Sequence, residues 1–312
     1  MEKKIYITSL NPSIEYKLYF DELVKHKKNQ SYKSKMKPFT KVLHIGRIFK
    51  KMDWDVIPIL FIPPHFGSLF KNEMEKENMN LKWFQAKGDI RISVKLADND
   101  ITECNTFGAP VSQLELRKMK SYFYDVLQEN DIVVSTGTVP PNVDNSIIRD
   151  ICEIANINKA RFVTDVFGEP LRKLLGNKVF LYKTNIEELE LTMGKKINNQ
   201  NDLIISMSVL LNKGIENILV CKNNNLILAN NQNILEASFE NLNLQNKEVI
   251  DLNYGVLAGF LDTFIKTNDF ESALKSSLLV GNAIIIWKHS ITKEKISTIL
   301  KQTDQIKIRV VR

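Results

Sequence analysis

The strongest chemical signal in the sequence is a run of cations. Between Glu22 and Asp53 there is no acidic residue, while Lys25, Lys27, Lys28, Lys33, Lys35, Lys37, Lys41, Arg47, Lys50 and Lys51 are all basic. A stretch of one sign attracts anions. Three readings are open: a solvated basic surface, a site for a phosphorylated small molecule, or a nucleic-acid contact. The last has least support, because no recognisable nucleic-acid module surrounds the run. Metal and thiol chemistry are weaker still. Cys104, Cys152 and Cys221 are an odd number, widely spaced and without a C-x-x-C pair, so free thiols are expected. His26, His44, His65 and His289 form no pattern with ligand spacing.

Such cations need a scaffold, and the chain has material for one. Its 312 residues are 44% hydrophobic and 25% charged with a net charge of +7, the balance of an ordinary soluble globular protein. Twelve Gly and nine Pro are too few for a collagenous or linker-dominated chain. The longest apolar stretches, near 56–62 and 283–287, fall short of the roughly 18 residues that a membrane-spanning helix requires. The alternating start Met-Glu-Lys-Lys-Ile-Tyr-Ile-Thr reads as a strand and not as a signal peptide, so a cytoplasmic protein is expected.

Hydrophobic periodicity supplies the elements. Residues 4–9 and 15–19 alternate as strands, 41–52 have helical spacing, 56–62 form an apolar strand ended by Pro63-Pro64, and 67–77 form a helix. Segments 90–96 and 101–105, joined through Asp98-Asn99-Asp100, read as a hairpin. From 111 onward the pattern becomes strictly βα. Helices are expected to Gln128, at 146–155, 169–175, 186–193 and 202–211, with strands at 131–135, 161–165, 179–182 and 217–221. A hairpin through 226–229 and 234–237 and two helices, 254–265 and 270–285, close the fold. Strands alternating with helices of this length imply an α/β, mostly parallel sheet covered on both faces, and the early alternating strands fit a small separate sheet. A single domain over 1–312 is expected, with lid strands from about 14–37 and 90–105.

Several segments carry a family resemblance in collinear order. They are Ser9-Leu10-Asn11-Pro12-Ser13-Ile14-Glu15 (like L-N-P-S-I-D), Arg91-x-Ser93-x-Lys95 (like R-x-N-x-K) and Thr102-Glu103-Cys104-Asn105 (like T-E-I-N). Ser135 to Pro141 (STGTVPP) is like S-G-S-L-P-P, Thr164 to Glu169 (TDVFGE) like L-D-T-S-G-E, and Lys183 to Leu189 (KTNIEEL) like K-P-N-x-x-E-L. Ala258-Gly259-Phe260 matches the end of G-A-G-D-S-x-V-A-G-F. End to end, the chain resembles the ribokinase/PfkB carbohydrate kinases, in the branch of 1-phosphofructokinase and tagatose-6-phosphate kinase. The resemblance implies a doubly wound α/β domain with a β-sheet lid that clasps a second subunit in a homodimer. It also implies transfer of the γ-phosphoryl of ATP, with Mg2+, to a sugar phosphate. That reaction needs cations at the phosphates, donors where charge develops and a carboxylate that takes the hydroxyl proton.

Carried over residue by residue, the resemblance implies a substrate set of Glu15, Lys41, Arg91, Lys95 and Asn105. Glu15 stands for an Asp that bonds sugar hydroxyls, and Lys41 for the lysine of G-G-K-G. The glycines around that lysine are here Phe39, Thr40 and Val42, and the following Asn is His44. Lys183, Asn185, Lys222, Asn253 and Gly255 fall on the nucleotide side. Asn185 and Glu188, three apart on one helical face, are both candidates to face a hydrated Mg2+; a helix N-cap followed by a first-turn acid explains the same pair. The nucleotide loop loses both its glycines in Val220 to Leu226 (VCKNNNL).

At the reaction centre the pattern breaks. The family's G-A-G-D-S falls on Asp251-Leu252-Asn253-Tyr254-Gly255, so Tyr254 stands where the catalytic Asp is expected. A phenol titrating near 10 is a poor base at neutral pH. Loss of a general base costs about 10²- to 10⁴-fold in rate, so a sugar-phosphate kinase scaffold with impaired chemistry, a pseudokinase, is the expectation. An active but atypical kinase and a non-catalytic sugar-phosphate-binding or regulatory protein are the alternatives.

Overall fold

The computed structural model describes residues 4–239, 249–287 and 290–311, with the backbone alone for 249–253. β1 (Lys4–Ser9) is followed by β2 (Ser13–Tyr19), β3 (Lys33–Phe39), α1 (Lys41–Lys51), β4 (Asp55–Ile62) and α2 (Gly67–Glu75). Next come β5 (Lys82–Gln85), β6 (Arg91–Ala97), β7 (Ile101–Asn105) and α3 (Gln113–Val126). Strands and helices then alternate through β8 (Ile132–Ser135), α4 (Ile147–Ile157), β9 (Arg161–Thr164), α5 (Glu169–Leu174), β10 (Leu181–Asn185), α6 (Ile186–Met193), α7 (Gln200–Leu211) and β11 (Asn217–Lys222). The hairpin β12 (Asn225–Asn230) and β13 (Ile234–Phe239) precedes α8 (Val249–Thr267), α9 (Phe270–Trp287), α10 (Lys293–Ile299) and β14 (Ile306–Val310).

Among the described residues the main sheet has ten strands in the order β14-β13-β12-β11-β10-β9-β8-β1-β4-β5. The run from β11 to β5 is parallel, and β12, β13 and β14 form an antiparallel edge. Alternate side chains feed two cores, one on each face. Ile5, Ile7, Val134, Val163, Leu181 and Leu219 join α1, α8 and α9 on one side, while Tyr6, Val133, Phe162, Tyr182 and Val220 join α3, α4 and α7 on the other. Burial of both faces is what a parallel sheet requires.

From β1 the chain proceeds to β4 and β5 in one direction and to β8, β9 and β10 in the other. The carboxyl ends of β1 and β8 therefore border the point where strand order reverses, the usual crevice of an open α/β sheet. A second sheet, β3-β2-β6-β7, forms the lid. Its register puts Glu15, Lys17, Lys35, Lys37, Ser93 and Lys95 on one face and Tyr16, Leu18, Met36, Val94 and Leu96 on the other.

The observed elements differ from expectation in several places. β3 lies inside the expected lid segment, but its face of Lys33, Lys35 and Lys37 hides the period that would mark a strand. β5 has only four residues, too short to show alternation, and α10 and β14 extend a fold expected to close with two helices. β10 occupies Leu181–Asn185 rather than 179–182; Val179 makes only an isolated bridge to Ile215. α8 starts at Val249 instead of 254, and this shift alters the site.

Candidate active site

A cleft of about 190 Å³ opens at the switch point. It is lined by the turn after β1 (Ser9, Asn11, Pro12, Ser13), the start of α1 (Phe39, Thr40, Lys41), Arg91, the turn after β8 (Gly137, Thr138), the end of β9 (Asp165, Phe167) and Tyr254. Thr40 caps α1: it is extended, and its hydroxyl accepts from the Val42 N–H at 3.3 Å. The substitution of the motif's glycine by Thr thus fixes where Lys41 leaves the helix.

The centre of the cleft is an ion pair that links residues 124 positions apart, Lys41 Nζ to Asp165 Oδ2 at 2.8 Å. Burial pushes the Asp165 carboxyl up, but Lys41 and Lys183 outweigh it and hold the group below its ordinary range. Burial likewise depresses Lys41, and Asp165, with smaller effects of Glu188 and Tyr254, more than reverses this. Asp165 Oδ1 is buried without a hydrogen-bond partner; the Thr136 hydroxyl beside it biases the carboxylate but makes no full hydrogen bond. Asp165 was legible in the sequence only as part of the T-D-V-F-G-E match, with no role attached.

Above the cleft the lid holds Glu15 between Lys95 Nζ (2.6 Å) and Lys37 Nζ (3.5 Å). Burial raises the Glu15 carboxyl, and the two lysines, Lys95 first, bring it below the ordinary value. The carboxylate expected to meet sugar hydroxyls is therefore bound to its own lid. Arg91 lines the cleft and has no carboxylate partner among the described residues. Asn105 does not reach it: its amide donates to Glu103 Oε1 on the exposed strand β7.

Behind the cleft lie Lys183, 3% exposed, and Glu188. Asn185 and Glu188 form a complete capping box for α6: Glu188 N–H donates to Asn185 Oδ1 at 2.9 Å, and Asn185 N–H to Glu188 Oε2 at 3.2 Å. The helix-cap explanation of this pair thus describes its geometry. Burial, reinforced by Asp165, raises the Glu188 carboxyl despite Lys183 and Lys41. No group of three His, Cys, Asp or Glu side chains with metal-binding geometry occurs among the described residues. The oxygens suited to a hard cation that keeps most of its waters are the orphan Oδ1 of Asp165 and the Glu188 carboxylate, and this donor set fits Mg2+.

Tyr254 is 7% exposed and part of a column of rings. Its ring stacks on His44 (5.0 Å, 12°), His44 meets Phe39 edge-on (5.3 Å, 63°), and Lys95 Nζ sits 5.0 Å over Phe39. Because α8 begins at Val249, the amides of Asn253, Tyr254 and Gly255 lie beyond its first turn, where N–H groups serve the helix ladder. Asn253 and Gly255, expected on the nucleotide side, therefore have no free backbone N–H to offer a phosphate. Gly255 instead lets two helices touch: a Cβ there would lie 2.7 Å from Val280 O and 2.8 Å from Gly281 Cα. The side chain of Asn253 lies outside the described residues. Lys222 ends β11 next to the Asn223-Asn224 turn, and it acts on Glu236 of β13, not on the cleft.

The fold, a large mostly parallel sheet between helices with a small separate sheet, is ribokinase-like. Residues 63–295, well over half the chain, match the pfkB family carbohydrate kinase profile. A 1-phosphofructokinase of Bacillus subtilis (strain 168) is 28% identical over 299 residues, covering 96% of this chain and 98% of its own. A tagatose-6-phosphate kinase of Staphylococcus epidermidis is 24% identical over 309 residues, with 96% and 98% covered. The tetrameric inhibited form of phosphofructokinase-2 from Escherichia coli superposes with a TM-score of 0.85 at 16% identity, covering 97% of this chain and 99% of that one. The chain belongs to the pfkB family of carbohydrate kinases. Among the described residues no helix is long and apolar enough to cross a membrane.

Proposed function

We propose that this chain, built on a sugar-phosphate kinase scaffold, keeps the phosphate-binding part of its family's pocket and transfers a phosphoryl group weakly or not at all. The reading rests on Tyr254, a buried ring stacked on His44, which the match of Ala258-Gly259-Phe260 to the family motif aligns with the catalytic carboxylate. Asp165 is the carboxylate among the described lining residues, and it is bound to Lys41 and held ionised by it, so it is a weak proton acceptor. The in-ladder amides of residues 253–255 remove a second contribution, worth about 10²- to 10³-fold per lost donor.

Binding is supported by what remains. Arg91, without a carboxylate partner among the described residues, offers a guanidinium suited to a phosphate, and Lys41 lines the cleft with Lys183 buried behind it. Asp165 and Glu188 are the residues that would hold Mg2+, which when bound neutralises nucleotide phosphate charge. ATP as cofactor, the cytoplasm as location and a lid-to-lid homodimer complete the reading; the lid's outer face of Tyr16, Leu18, Met36, Val94 and Leu96 supports the dimer.

The test is a coupled ADP-release assay with fructose 1-phosphate, tagatose 6-phosphate and fructose 6-phosphate. Wild-type protein is expected to show no turnover above that of Lys41→Ala. Clear wild-type turnover that Lys41→Ala abolishes would overturn the proposal.

A further inference from the structure

Four positions where this chain departs from its family's motifs converge on one cleft. Phe39 replaces a glycine, His44 an asparagine, Phe167 the serine of the L-D-T-S-G-E segment, and Tyr254 the aspartate. Each change puts a ring in place of a small or polar group. Phe39, Phe167 and Tyr254 line the cleft directly, and His44 backs both Phe39 and Tyr254. Phe167 is 38% exposed and has no ring partner among the described residues, so an open phenyl stands at the cleft wall.

The polar groups of the lining are largely taken up by one another. Asn11 Nδ2 donates to Thr138 Oγ1 at 3.2 Å, Ser13 Oγ to Phe39 O at 3.0 Å, and Lys41 Nζ to Asp165 at 2.8 Å. Glu15 is held by Lys95 and Lys37. A polyhydroxylated ligand would have to displace these bonds, and each hydroxyl buried without a partner is costly. Arg91 lines the cleft and has no carboxylate partner among the described residues.

We infer that the cleft takes a phosphorylated planar ring, an aryl or heteroaromatic phosphate, in preference to a sugar phosphate. The phosphate pairs with Arg91 and the ring lies against Phe167 and Tyr254. This inference rests on the reading above that the cleft still binds a phosphate, and changes only what carries it.

The experiment is isothermal titration of the full chain with three probes: phenyl phosphate, fructose 1-phosphate and inorganic phosphate. Phenyl phosphate is expected to bind at least about 10-fold tighter than fructose 1-phosphate. Phe167→Ser, a change at an exposed position, is expected to weaken phenyl phosphate about 3- to 10-fold, the range of one aromatic contact. The same variant should leave inorganic phosphate within about twofold, which also shows that it is folded. Arg91→Ala should weaken all three probes. If fructose 1-phosphate binds as tightly as phenyl phosphate, or if Phe167→Ser leaves phenyl phosphate unchanged, the ring preference is wrong while the phosphate site stands. If none of the three binds wild-type protein, the phosphate-binding reading and this inference fall together.

Discussion

The Lys41–Asp165 pair joins the first helix to the end of β9, and replacing Lys41 by Met isolates a buried carboxylate. Removing one partner from a buried pair costs about 3–5 kcal/mol. Two features reduce this: 31% of the Lys41 side chain is exposed, and Lys183 still acts on Asp165. A loss of about 2–4 kcal/mol is the expectation. With an unfolding entropy near 2.1 cal/mol/K per residue, about 0.65 kcal/mol/K for this chain, the midpoint falls by about 3–6 °C. The sign of the pH effect follows from the carboxyl. In wild type its depressed value contributes stability that is complete above the unfolded-state value of about 3.9 and is lost as pH falls through the native value. In Lys41→Met burial raises the native value, so the penalty is complete at neutral pH and fades on acidification. Thermal unfolding at about pH 7.5 and about pH 4 should therefore show the larger wild-type-to-variant gap at pH 7.5. Adding Asp165→Asn to Lys41→Met should recover most of the loss. An equal gap at both pH values, or a shift under about 1 °C, would refute the argument that this pair is a desolvated charge pair.

Gly259 on α8 faces backbone on α9: a Cβ there would lie 2.6 Å from Ser276 O and 3.0 Å from Ser277 Cα, with no flexible side chain to yield. Overpacking of about 1–3 kcal/mol then outweighs the roughly 1 kcal/mol of helix propensity that Gly259→Ala gains, so calorimetry should show a lower midpoint, and a higher one would contradict the close crossing. The apolar outer face of the lid predicts a particle of twice 35.9 kDa by light scattering, and Leu96→Glu, placed on that face, should return it to a monomer. A monomeric wild type would remove the lid clasp.

Local pattern was enough for much of the fold. Strands such as β8 and β11 are short apolar runs flanked by helices of amphipathic period, and that alternation dictates a parallel sheet because crossover helices must cover it on both faces. The pairing of Asn185 with Glu188 could be read three residues apart, since capping is a nearest-turn interaction. Elements whose sequence lacks a clean period escaped: β3, with a lysine at every second position and Pro38 near its end, and β5, with four residues. α8 begins at Val249, five residues before the start that periodicity indicates, because a helix end carries less of the period than its middle.

The sequence alone was enough for the family and for the α/β alternation, and it offered a basic run and Tyr254 as expectations about the site. The tertiary structure decided the partners of the cations: Lys41 is committed to Asp165 and Lys95 to Glu15, while Arg91 lines the cleft without a carboxylate partner among the described residues. It also decided that Phe39, His44 and Tyr254, which lie on different elements, form one column with Phe167 nearby. The reason is physical. Periodicity and capping act over a few residues and leave their mark in the order of residue types, whereas contacts at the carboxyl ends of strands depend on which strands are neighbours. That is fixed by packing of the whole sheet.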